Sequence, residues 1–158
     1  MTEEEKLTGL GGWLILVGLG IVFSPVKIVT MVFPIYMEIF SNGSWELLTT
    51  AGTQYYNSMW MPYLLIEMIV NIVFLVTWLY IAFLFFTKKK LFKKVYIAML
   101  VLSLLFIFLD AVSIRLILPD EPIFDPDTTK ELIRGLIAVL IWVPYVLVSK
   151  RVKLTFVN

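Results

Sequence analysis

The sequence predicts an all-α integral membrane protein, an antiparallel four-helix bundle built as a single domain over residues 1–158. Three observations carry that prediction. The chain is too apolar to hide from water: 60% of its residues are hydrophobic, 16% are charged and the mean hydropathy is +0.92, whereas a soluble domain carries about a quarter charged residues. Its apolar residues fall into four runs, each long enough to approach the ~20 residues that cross ~30 Å of hydrocarbon as a helix. Lys and Arg collect in alternate loops, as the positive-inside rule requires of a multi-pass protein.

The first run covers about residues 10–40 and is overlong, with Ser24-Pro25 and Pro34 as expected interruptions. Lys6 and the apolar stretch Leu10–Phe23 resemble the start of a secretion signal. No small-x-small cleavage site follows, so the run reads as a retained span. The second run covers about residues 60–86, the third 95–118 and the fourth 132–148, with Pro144 expected to break the last one near its end. Lys88, Lys89, Lys90, Lys93 and Lys94 lie between the second and third runs, and Lys150, Arg151 and Lys153 follow the fourth. The loop Ser41–Met59 has no Lys or Arg, and Pro119–Thr129 has none either but carries Asp120, Glu121, Asp125 and Asp127. Both termini are therefore expected in the cytoplasm. The eight cations set topology first, and are expected to touch anionic lipid headgroups at the cytoplasmic face. Trp13, Trp60, Trp142, Tyr55, Tyr56, Tyr63 and Tyr145 fall near span ends, where an interfacial aromatic belt is expected.

Composition also excludes chemistries. The chain contains no Cys and no His, which removes thiolate and Ser-His nucleophile systems and the commonest metal ligand. No phosphate-cradling Gly-Lys-Ser/Thr loop is present. A net charge of +1 argues against a nucleic-acid partner. No cofactor or metal is implied, and an enzyme is not expected. The four acids of the Pro119–Thr129 loop are candidate ligands for a hard cation, but Pro119, Pro122 and Pro126 make a stiff solvated loop the better reading. Gly9, Gly11, Gly12, Gly18 and Gly20 crowd the first span, and Gly20-xxx-Ser24 is a small-xxx-small step. It serves either close packing inside one bundle or contact with a second copy of the chain or another membrane protein.

The remaining signal is a band of ionisable residues within the spans. A charged side chain in hydrocarbon costs at least ~2.5–3.5 kcal/mol on insertion scales, so each needs a partner or water. At ~1.5 Å per residue, Lys27, Glu67, Asp110, Arg115 and Arg134 all fall in the outer half of the bilayer, and Asn71 lies one turn below Glu67. A bundle that turned them inward would set two acids against three bases. One reading is a polar pocket that holds a small ligand, or a proton or cation site of a small transporter or channel subunit. The other is a structural ion-pair network that fixes helix register, with Arg115 and Lys27 reaching the outer headgroups.

Two segments resemble a known family. Gly9-Leu10-Gly11-Gly12-Trp13-Leu14 opens the chain, and Trp142-Val143-Pro144-Tyr145 precedes Ser149-Lys150-Arg151-Val152-Lys153 and Thr155-Phe156-Val157. Together with the four-span layout, the Lys-rich loop and Arg134 entering the last span, these resemble the bacterial membrane proteins grouped as domain of unknown function 2569. The resemblance implies a multi-pass protein of the bacterial cytoplasmic (inner) membrane and implies no activity. The apolar end of the chain is expected to fold back on the bundle or bind a partner. The topology has a direct test: cytoplasmic reporters fused after Lys90 or Asn158 should be active and those fused after Ser44 or Pro126 silent, and activity at either acidic loop would sink the four-span arrangement.

Overall fold

The computed structural model describes residues 8–158, and every regular element among them is helical. Lys6 lies outside them. Four segments are long and apolar enough to cross a membrane: Trp13–Ser41, Trp60–Phe86, Phe92–Leu116 and Pro126–Val148. The first is compound. It joins α1 (Trp13–Lys27) through a π turn (Ile28–Val32) to α2 (Phe33–Ser41). Ser24-Pro25 therefore does not end the helix as expected. Pro25 sits inside α1, and the altered ladder follows it as the wider π turn between the two prolines. A short helix, α3 (Ser44–Thr49), enters from Gly43, whose φ of 82° favours glycine. The second span is α4 (Trp60–Phe86), and the third is α5 (Phe92–Ser113), extended by a 3₁₀ turn (Ile114–Leu116).

The fourth span, α6 (Pro126–Val148), starts at Pro126 rather than near residue 132. Asp125 caps it by accepting hydrogen bonds from the backbone N–H groups of Asp127 and Thr128, and Pro126 pre-sets the first turn. The Thr128 hydroxyl and these backbone donors hold the Asp125 carboxyl below the usual carboxylate range. Two of the four loop acids thus belong to a helix start. Pro144 does not break α6, which runs through it to Val148. A last helix, α7 (Lys150–Thr155), begins at Ser149, whose hydroxyl accepts from Val152 N–H.

The core gathers at the end of the molecule that carries the Lys-rich loop. Leu14, Ile21, Ile81, Phe92, Val146 and Val152 are fully covered there. Phe156 stacks on Phe92 with ring centroids 4.3 Å apart and lies 5.7 Å from Phe85. The tail does fold back. Thr155 is buried and exchanges hydrogen bonds with Gly9, donating to its carbonyl and accepting from its N–H. Asn158 brackets the Lys-rich loop, donating to the Lys88 carbonyl and accepting from Lys90 N–H. That loop begins with a paired helix stop: Lys89 N–H reaches the Leu84 carbonyl and Lys88 N–H the Phe85 carbonyl, with Lys88 at a φ of 55°.

Contacts join the start of the first span to the ends of the second and fourth, through Gly18 with Phe85 and Trp13 with Trp142. These are the ends that an alternating up-and-down path brings together. The fourth span is mostly uncovered. Leu140, for example, is 64% exposed, as suits a helix solvated by lipid. The glycine that packs in the first span is Gly18 rather than Gly20. A Cβ on Gly18 would lie 3.0 Å from the Phe85 ring, whereas one on Gly20 would meet nothing within 4 Å. We expect Gly18→Ala to cost about 1–3 kcal/mol through overpacking and Gly20→Ala to be neutral or stabilising by up to ~1 kcal/mol. Unfolding in detergent measures both, and equal effects would remove Gly18 from the tight contact.

Candidate functional site

At the opposite, acidic end the spans meet through polar groups. Tyr63 and Glu67 are one helical turn apart on the second span, with Asn71 a turn further, so one face carries all three. Asp110 faces them from the third span. The Tyr63 hydroxyl donates to Asp110 Oδ1 at 2.8 Å. Asn71 Nδ2 donates to the Glu67 backbone carbonyl at 3.0 Å and to the Tyr36 hydroxyl at 3.2 Å. Tyr36 is buried and arrives from α2 beyond the π turn, so that Asn71 ties the first span to the second beside Glu67. A cavity of about 390 Å³ opens beside this cluster between the second and third spans. Its walls include Tyr63, Glu67, Asp110 and Ser113 among apolar residues such as Ile66, Val70 and Phe106.

The cations of the expected band go elsewhere. Lys27 Nζ pairs with Glu131 Oε1 of the fourth span at 2.6 Å. Arg115 is exposed and donates from Nη2 to the Pro119 carbonyl at 3.0 Å. Arg134 is exposed and makes no ion pair among the described residues. Helix phase accounts for this. Gly135 is the residue that seats the fourth span on Leu104 of the third, and Arg134, ~100° round the helix, is turned away from that seam. Asp110 therefore accepts from a phenol rather than a cation, and the expected arrangement of two acids against three bases does not form. Lys27 and Glu131 instead clip the first span to the fourth.

At the basic end, Lys88, Lys89, Lys90, Lys94, Lys150 and Lys153 are exposed and Lys93 is half-buried. Arg151 differs from them. Its guanidinium lies against the Gly11-Gly12 turn, with Nη1 3.0 Å from where a Gly11 Cβ would stand, and Gly12 has a φ of 59°. The two motifs that opened and closed the sequence are thus one contact. Tyr36 and Glu131 were not singled out in the sequence, and Tyr63 was assigned to the aromatic belt. The spacing of Tyr63, Glu67 and Asn71 was the available signal for the last. Among the described residues no group of three or more metal-ligating side chains gathers.

Fold and site together define a multi-pass, all-helical membrane protein with a polar cluster between its spans. The chain belongs to the family described as "Protein of unknown function (DUF2569)", whose model matches residues 7–157. Neither a curated protein nor a solved structure matches the chain. The cluster makes a testable claim about stability. Tyr63→Phe strips Asp110 of its donor and should cost about 1–3 kcal/mol, whereas Arg134→Ala should stay within ~0.5 kcal/mol. Equal losses in detergent unfolding would put Arg134 back among the acids.

Proposed function

We propose that the protein is a non-enzymatic binding, sensing or accessory protein of the bacterial cytoplasmic membrane, with both termini cytoplasmic. Its site is the cavity between the second and third spans, in the outer half of the bilayer. The single observation that supports this reading is that two carboxyls line an apolar cavity with no cationic side chain paired to either among the described residues. Intramembrane charge without a counter-charge is expensive. A ligand that brings a positive charge or hydrogen-bond donors, on an apolar body, relieves that cost. The expected ligand is thus a small amine-bearing amphiphile. An anion is disfavoured, because Arg134 stands apart.

A second reading, a proton- or cation-coupled transporter or channel subunit, draws on the same two carboxyls. It is less well supported because the seam below Asn71 is apolar. Octylamine and octanol at matched concentrations discriminate. Octylamine should raise the melting temperature of the detergent-solubilised protein by several degrees, octanol should not, and Glu67→Gln and Asp110→Asn should each shrink the shift. Equal shifts from the two ligands, or an undiminished shift in both variants, would refute the binding assignment. A proton flux in proteoliposomes that Glu67→Gln abolishes would replace it with the transporter.

A further inference from the structure

The seam between the second and third spans holds a separate cavity nearer the basic end. It measures about 360 Å³ and is walled by Val73, Phe74 and Thr77 of the second span with Ala98 and Leu102 of the third. Its polar elements are few. The Thr77 hydroxyl is already committed to the Val73 carbonyl at 2.7 Å, so the wall offers a ligand no free polar group until Lys94, which stands at one end. Lys94 is exposed and forms no ion pair among the described residues. Val73 is 54% and Leu102 53% exposed, so the groove is open along its side to whatever surrounds the span.

We infer that this groove holds one acyl chain of an anionic phospholipid, with the headgroup phosphate on Lys94. Three physical points converge on that occupant. The open side faces hydrocarbon, so the ligand enters from the bilayer and must be apolar along its length. From Lys94 to Leu102 is eight residues, ~12 Å along the helix, which is close to half of the ~30 Å hydrocarbon layer and so to one leaflet. The cation sits at one end of the groove, where a chain of that leaflet meets its headgroup. Lys88, Lys89, Lys90 and Lys93 crowd the same end with no acid in the loop, which selects an anionic headgroup over a zwitterionic one. This is a defined site for a single lipid, beyond general headgroup contact, and it stands whether or not the outer cavity binds a ligand.

Native mass spectrometry of the full chain tests it, after incubation in detergent with equal amounts of phosphatidylglycerol and phosphatidylcholine of identical chains. Wild type should retain one phosphatidylglycerol in preference to phosphatidylcholine. Lys94→Gln should cut that retention about five-fold, the weight of ~1 kcal/mol for one Lys beside an anionic surface. Lys150→Gln, which lies outside the groove, should not. Ala98→Phe fills the groove and should lower retention of both lipids, while circular dichroism reports that each variant keeps its helix content. Equal retention of the two lipids by wild type would overturn the inference, as would matching effects of Lys94→Gln and Lys150→Gln. Undiminished retention by a folded Ala98→Phe would overturn it too, since the chain would then lie outside the groove.

Discussion

The stack of Phe156 on Phe92, beside Phe85, is the contact on which the rest of the packing depends. Helices already in lipid gain little by the hydrophobic effect from touching one another, because lipid tails are as apolar as their side chains. Association then rests on close van der Waals contact, small per atom pair and large only where surfaces interlock. The three rings provide such a surface, and they draw on distant parts of the chain. Phe85 comes from the end of the second span and reaches beneath Gly18 of the first, Phe92 starts the third, and Phe156 follows the fourth. One cluster thereby gathers all four spans at the basic end.

The acidic end is held by different means. Hydroxyls inside the spans bond back to the carbonyl one turn earlier, as Ser24, Thr30, Thr77, Ser103 and Ser113 do, and so cost little in hydrocarbon. Glu67 and Asp110 cannot satisfy themselves in this way. Asp110 takes its donor from another helix, Tyr63 of the second span, and Tyr36 of the first span joins the cluster through Asn71, one turn from Glu67. The π turn lies between Lys27, which faces the fourth span, and Tyr36, which faces the second. A tight aromatic end and a polar, partly open end are two solutions to the same solvent.

How much of this was legible in the sequence depended on the length scale of the signal. The spans are set by summed hydropathy over about twenty residues, and the second matched at both ends. Boundaries governed by a single capping interaction were missed, as at Asp125, because a cap is decided by local hydrogen bonds that hydropathy does not see. The depth of the charge band followed from rise per residue, and depth alone could not say which charges meet. That is fixed by helix phase, which Gly135 sets in the fourth span through its contact with Leu104. The contact between the Gly11-Gly12 turn and Arg151 joins two motifs that were visible separately and whose pairing spans nearly the whole chain.

The docked tail has a consequence for biogenesis. Phe156 and Asn158 are made after all four spans, so the ring stack and the bracket around Lys89 form only when the membrane insertion of every helix is already decided. Insertion and closure are therefore separate events in time. Until closure, the first span lacks part of its final packing and Gly9 lacks its Thr155 partner. A chain lacking Phe156 would keep the apolar segments that set its topology and lose the ring stack that closes its basic end.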